Sequence, residues 1–528
     1  MEIAIQRNVA ASILSKVHVV LFRGKIRLDD GRGNLIEFFT SIMMQYGNHF
    51  LLCHSLSLTI TSRGEVLSMR SKRKLRARWS PATKVALAAS FLLVTSLTIL
   101  VSWNGRSIDP EALSAAVTAI APAHAHKVTT VATGNEPPVS WPATPRLSLM
   151  QQTLVADQVL SMSTSDKVGQ LIIAGLEGTS ADASTRKIIK NQQAGGFILF
   201  RPNMKTVSGT VALLNELKDL NRQAGGKPLF LGTDEEGGRI SRLPSPVIKL
   251  PSSGEIGLTE SEAYAEAAGE QLANRVKAFG FNINFAPVLD VNSNPDNPVI
   301  GDRSFGNSPS LVARLGLAEL KGHQRSGILG VVKHFPGHGD TSVDSHKQLP
   351  VLDHGLSRLS KIELPPFENA INNGAQAVMI AHISLPKLDP DYPASLSKPI
   401  ITGLLREKMK FDGLVISDDL TMGAIKTNYD LGEAAVRFIL AGGDIALVCH
   451  GDDNIIHVYN SLKQAVDNGT IPEKRLNESV YRILALKMVY KLTDPTSPVP
   501  AAEQLNKQMD AALAPYRAAA PESARKER

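Results

Sequence analysis

Eight short apolar runs, most of them rich in β-branched residues, punctuate the middle of the chain: GQLIIAGL (169–176), GGFILF (195–200), PLFLGTDEE (228–236), NINFAPVLDV (282–291), ILGVVKHF (328–335), AQAVMIAHI (375–383), DGLVISDDL (412–420) and GGDIALVCH (442–450). Each is short for a helix and nearly continuous in apolar character, which predicts strands of a parallel sheet buried on both faces. Amphipathic stretches stand between them, such as TVALLNELKDLNRQ, SEAYAEAAGEQLANRVKAFG and LVARLGLAELKGHQRSG, and these predict helices. Eight strand–helix units within residues 147–492 fit one α/β domain, a single (β/α)8 TIM-type barrel, better than a doubly wound sheet. The count decides this, because periodicity alone does not distinguish a closed sheet from an open one.

The pattern changes at both ends. Val85 to Val101 runs without a charge, and Ser102 and Trp103 extend it. That length lies near the lower limit for a bilayer-spanning helix, so residues 85–103 are expected to form a transmembrane helix or signal segment. Arg70, Lys72, Arg73, Lys74, Arg76, Arg78 and Lys84 crowd in front of it. A positive flank stays cytoplasmic, so the rest of the chain is expected to be exported, facing the periplasm or exterior. The best small-x-small site, Ala123 to Ala125, lies well beyond the apolar run. An uncleaved anchor is therefore favoured over a cleaved signal that would leave the protein secreted. Met69 stands immediately before the basic cluster, where an export signal would begin, and residues 1–68 read as an over-extended frame. Residues 104–146, rich in Ala, Pro and Thr, read as a linker in which His124 and His126 carry no specific meaning. Residues 493–528, rich in Pro and Ala and ending in ARKER, read as a solvated tail.

Charge sharpens this division. The net +7 comes from 57 Lys+Arg against 50 Asp+Glu and invites a nucleic-acid or anionic-membrane reading. Residues 1–84, the basic N-terminal region, hold 14 basic and 5 acidic residues, whereas the remaining 444 hold 43 and 45. The body is not basic, so no nucleic-acid partner is expected, only a membrane contacted through the N-terminal segment. An apolar fraction of 43% excludes a mainly disordered chain. Cys53 and Cys449, the two cysteines, exclude a disulfide scaffold and a four-cysteine zinc site. They lie on opposite sides of the apolar segment and are not expected to pair.

Polar residues collect where the apolar runs end. Asp234 to Glu236 close the third run, Asp290 the fourth, Lys333 and His334 the fifth, His382 the sixth, Asp418 and Asp419 the seventh, and His450 the eighth. In a barrel these C-terminal strand ends converge on one mouth, where the chemistry sits. The densest stretch, KHFPGHGDTSVDSHKQLP (333–350), admits three readings. A metal site would draw on His334, His338, Asp340 or His346. An acid–base dyad would pair Asp344 with His346. Alternatively the residues staple a loop. Asp418 closes the strand-like LVIS and would project rigidly into the mouth, which suits a nucleophile. Asp234 is an equal candidate on these grounds. A carboxylate facing an acid–base group across a pocket suits glycoside hydrolysis, with Asp234, Arg242, Arg303, Lys333 and His334 suited to sugar hydroxyls or an acetamido group.

KHFPGHGDTSVDSH also resembles the signature of glycoside hydrolase family 3 β-N-acetylglucosaminidases (NagZ-type β-hexosaminidases). TDEEGGRISRL (233–243), NINFAPVLDVNSNPDNPVIGDRSFG (282–306) and VISDDLTMGAI (415–425) resemble the family's other blocks in the same order. The resemblance covers roughly residues 150–490. It implies a (β/α)8 barrel and retaining hydrolysis of terminal β-linked N-acetylglucosamine, from peptidoglycan fragments or chito-oligosaccharides, with no metal or cofactor. It implies Asp418 as nucleophile, His346 as acid/base with Asp344 as its partner, and Asp234, Arg242, Arg303, Lys333 and His334 as sugar-binding residues. His338 and Asp340 read as loop architecture. A β-N-acetylglucosaminide phosphorylase would share this site, and a membrane-anchored glycan-binding protein without turnover is the alternative of another class.

Overall fold

The computed structural model describes residues 147–519. The basic region 1–84, the apolar segment 85–103 and the linker 104–146 lie outside the described residues, as does the end of the tail. Among the described residues no helix is long and apolar enough to cross a membrane.

All the predicted runs form strands, and every pairing between them is parallel. In chain order these are β1 (Ile172–Ala174), β2 (Gly196–Ile198), β3 (Phe230–Thr233), β4 (Ile283–Asn284), β5 (Leu329–Gly330), β6 (Val332–Phe335), β7 (Ala377–Ile380), β8 (Leu414–Asp419) and β9 (Ile445–Val448). The spatial order is β5-β4-β3-β2-β1-β9-β8-β7-β6. Both edge strands belong to the fifth run, which breaks at Val331. β5 pairs with β4, and β6 pairs with β7. A further parallel bridge joins Val288 to Lys333. One run thus serves both edges and brings the sheet round into a TIM-type ring. Nine strands in place of eight reflect that break and not an added unit.

Helices lie between the strands because the intervening segments carry apolar stripes and capping residues. Ser163, Asp182, Thr206, Ser261 and Asp430 each accept a backbone N–H of the following helix through a side-chain oxygen. Strand residues such as Ile173, Phe197, Leu231, Ile283, Val332, Val378, Ile416 and Ala446 are fully buried, as expected of a sheet covered on both faces. The two ends of the ring differ in chemistry. At the N-terminal end Asp444, wholly buried, accepts Arg406 at 2.6 Å, Arg475 at 3.0 Å and Arg482 at 3.3 Å. It also receives the Val415 N–H. These charges are spent on one another, so this cluster is structural.

The solvated tail is corrected. Helix Ala502–Ala519 docks on helix Glu262–Phe279, burying Met509 and Leu513 beside Tyr264, Ala268 and Leu272. Leu505, Met509 and Leu513 recur every four residues and form an apolar stripe. Asn506 clips the segment after β3, accepting from Ile248 N at 2.9 Å and donating to Pro246 O at 2.9 Å.

Candidate active site

The C-terminal strand ends surround a cavity of about 160 Å3. On its inner wall Lys333, carried by β6 and 2% exposed, reaches Asp234 at 2.7 Å and Glu236 at 2.6 Å. Arg303, at the end of a helical turn Gly301–Arg303, meets Glu236 through two parallel contacts of 2.8 and 2.9 Å. Arg242 approaches Asp234 at 3.9 Å. Three cations and two carboxylates therefore form one partly buried cluster. Burial would raise the Glu236 pKa, but Arg303 and Lys333 hold its carboxyl well below the usual range. The neighbouring Glu235 is turned away, accepting from Ser241 Oγ, Arg242 N and Leu243 N. It thereby shapes the loop that carries Arg242.

His334 stands beside this cluster with an assigned tautomer. Its Nδ1 lies 2.6 Å from Asp290 Oδ2, and an ionised carboxylate only accepts. In the neutral ring the proton therefore sits on Nδ1, leaving Nε2 to accept from Arg303 Nη2 at 3.3 Å. Asp290 is fully buried and also receives the His338 backbone N–H at 2.7 Å. Burial would raise its pKa, but the His334 and His338 groups bring it below the ordinary value.

The loop after β6 carries the dyad. Asp344 Oδ1 accepts from His346 Nδ1 at 2.8 Å and from His346 N at 2.9 Å. This orients the ring and leaves Nε2 as the nitrogen able to pass a proton. Despite partial burial, these bonds lower the Asp344 pKa and keep it anionic. His346 is exposed, and it and Ser345 line the cavity while Asp344 stands behind them. His338 is buried between Thr341 Oγ1 at 2.7 Å and Ser345 Oγ at 3.1 Å. Burial pushes its pKa down to about 4. Asp340 pairs with His354 at 2.6 Å. Both belong to the loop's framework, and the metal reading gains nothing: among the described residues no three His, Cys, Asp or Glu side chains are grouped to hold an ion.

The structure also separates the two candidate nucleophiles. Asp234 is engaged by Lys333 and Arg242, which withdraws electron density from its oxygens. Asp418, on β8, accepts one protein hydrogen bond, from Asp419 N at 2.8 Å. Burial alone would raise its pKa, but His382, His334 and the Asp419 N–H bring it below the usual value. It is therefore an ionised carboxylate facing the cavity. Asp419 is occupied by Thr421 and the Cys449 N–H.

Seven of the eight sequence-predicted site residues line this cavity, and the eighth, Asp344, supports His346 from behind. Glu236 and Asp290, which hold Arg303, Lys333 and His334 in place, stand out in the sequence only as polar strand ends. His382 is not in the wall; it is buried against Ser395 and the Asp419 carbonyl. On the far rim Phe200 stacks on His450 at 5.3 Å.

A parallel TIM-type barrel with a free carboxylate and an Asp–His dyad at one C-terminal mouth is the arrangement of a barrel glycoside hydrolase. Residues 163–486 match the family model described as Glycosyl hydrolase family 3 N terminal domain. The chain belongs to glycoside hydrolase family 3. It is 33% identical over 332 residues to Beta-hexosaminidase A of Pseudoalteromonas piscicida, covering 58% of this chain and 56% of that protein. The chain thus spans little more than half of that relative's length. It is 35% identical to Beta-hexosaminidase LpqI of Mycobacterium tuberculosis, over 62% of this chain and 83% of that one. Among solved structures, a glycoside hydrolase family 3 β-N-acetylglucosaminidase from Paenibacillus sp. str. FPU-7 superposes with a TM-score of 0.64. Its sequence identity is 38%, covering 67% of this chain and 68% of that one.

Proposed function

We propose that the protein is a retaining exo-β-N-acetylglucosaminidase acting on terminal β-linked N-acetylglucosamine of peptidoglycan fragments or chito-oligosaccharides. The observation that carries this reading is one cavity lined by a carboxylate free to attack and by an Asp344-oriented histidine free to move a proton. The similarity to proteins named as β-hexosaminidases and a β-N-acetylglucosaminidase supports the choice of sugar.

In the first step an Asp418 oxygen attacks the anomeric carbon. The bond to the leaving oxygen breaks as protonated His346 gives that oxygen its Nε2 proton. In the second step water attacks the same carbon, Asp418 leaves, and neutral His346 takes the water proton. Proton transfer of this kind contributes about 10²–10⁴ in rate. A histidine departs from the usual two-carboxylate plan. As a neutral base it repels an approaching anion less than a carboxylate would. Asp234, Arg303, Lys333 and His334 together offer donors and acceptors for sugar hydroxyls along the inner wall. The same proposal sets the body outside the cytoplasm, on the strength of the basic flank and charge-free segment before residue 104.

The test is hydrolysis of p-nitrophenyl N-acetyl-β-glucosaminide and of the β-glucoside, each with and without phosphate. Release of nitrophenol from the acetamido sugar alone, at a rate indifferent to phosphate, is expected. A sugar 1-phosphate product would assign a phosphorylase instead, and binding without turnover a glycan-binding protein. Asp418→Ala abolishes covalent labelling by an activated fluorosugar; full labelling of that variant would refute the nucleophile.

A further inference from the structure

The loop bearing His346 is moored to the segment that leaves the nucleophile strand. Asp418 and Asp419 end β8, and Leu420 to Met422 lead directly into the short helix Gly423–Lys426. Gly423 N donates to His346 O at 3.1 Å, and Ala424 N donates to Ser345 O at 3.1 Å. The first turn of a helix has N–H groups without intrahelical partners, and here two of them are spent on the loop. The approach is so close that a Cβ on Gly423 would lie 2.7 Å from both His346 O and Lys347 O, and 2.9 Å from Lys347 C. All three atoms are loop backbone, so a side chain here displaces the loop itself. The turn before the helix is held by Asp419, which accepts from Thr421 N at 2.9 Å and Cys449 N at 3.0 Å.

We infer that Gly423 is a positioning residue: the absence of its side chain sets the height of His346 over Asp418 and so tunes acid catalysis without touching substrate. This rests on the reading of His346 as the acid/base. Gly423 is in helical conformation, where alanine is intrinsically preferred to glycine, so the backbone itself accepts the substitution. The cost falls on the loop, where a displacement of under an ångström is enough to impair proton transfer.

The experiment compares Gly423→Ala, His346→Ala and the double variant on two substrates. One is the 2,4-dinitrophenyl N-acetyl-β-glucosaminide, whose leaving group needs little protonation; the other is the β-linked disaccharide of N-acetylglucosamine, whose leaving group needs it fully. In kcat/KM, which reports the first step alone, Gly423→Ala is expected to lose about tenfold to hundredfold on the disaccharide. It should lose less than about threefold on the dinitrophenyl sugar and add nothing in the His346→Ala background. Melting temperature and stoichiometric fluorosugar labelling of Asp418 should stay at wild-type values. Equal losses on both substrates, no loss on either, or failure of the variant to fold or to label would each overturn the role of Gly423. If His346→Ala itself fails to discriminate between the substrates, the acid/base reading falls, and that outcome is distinct from the others.

Discussion

Glu236 offers a quantitative test of what holds the inner wall of the cavity together. Its carboxylate, 3% exposed, is shared by Arg303 and Lys333, themselves 10% and 2% exposed. Glu236→Gln preserves shape but leaves Arg303 and Lys333 with the single charge of Asp234, which Arg242 also approaches. An amide oxygen satisfies one of them, while its NH2 group points a donor at another donor. Removing one partner of a buried ion pair costs about 3–5 kcal/mol, because the remaining charge stays desolvated. With unfolding entropy near 2.1 cal/mol/K per residue over roughly 340 residues, each kcal/mol is worth about 1.4 °C, so the melting temperature should fall by about 4–7 °C. Arg303 and Lys333 also lose their anchor, and kcat/KM on the chromogenic N-acetyl-β-glucosaminide should fall on the order of a hundredfold, mostly through KM.

The pH dependence separates this cause from a packing defect. The native carboxyl is held well below its ordinary value of 4.5, because Arg303 and Lys333 outweigh the effect of burial. At pH values above 4.5 both folded and unfolded chains carry the charge, and the full stabilisation is present. As the pH falls below that value the unfolded chain takes up a proton that the folded chain refuses, so the wild type loses stability. The gap between wild type and Glu236→Gln should therefore be constant from about pH 6 to 8 and narrow below about pH 4.5. Thermal melts of both proteins across pH 3.5 to 8 measure it. A loss of under about 1 kcal/mol, or a gap that does not change with pH, would refute the charge-cluster argument.

Two other substitutions probe the supports of the site. Asp290→Asn places an amide beside His334 Nδ1, favouring the tautomer whose Nε2–H points at Arg303; kcat/KM should fall about tenfold to hundredfold. Nitrogen NMR of the ring should report the tautomer change, and an unchanged tautomer would sink the account. Asn506→Ala removes the clip between the C-terminal helix and residues 246–248, so the segment leading back to Arg242 should exchange its amide hydrogens faster and KM should rise a fewfold at unchanged kcat. Unaltered exchange in that segment would show that the helix plays no part in holding it.

The barrel was legible because a parallel strand buried on both faces must be an uninterrupted apolar run, and such runs stand out against amphipathic helices. The break at Val331 was not, since ILGVVKHF is as apolar there as on either side. The tail was misread because alanine and proline dominate its composition while the stripe of Leu505, Met509 and Leu513 acquires meaning only against the face it meets. The site was legible in membership and partly illegible in role, for one reason. Strand-end position brings Asp234 and Asp418 to the same mouth, but ranking them as nucleophiles depends on which cation reaches which carboxylate. Lys333 lies 99 residues from Asp234 and neutralises it, whereas Asp418 is left with a single backbone donor. Likewise TDEEGG presents three acids in succession, and only the bend at Gly237 and Gly238 sends Glu235 to the Ser241 hydroxyl and the Arg242 and Leu243 N–H groups, and Glu236 to the cations. Residue type and spacing therefore predict which groups meet at a barrel mouth, while the division of labour among them is set by contacts between distant segments. Gly423 is the extreme case: its contribution to the position of His346 is an absent atom, visible only once the two loops face each other.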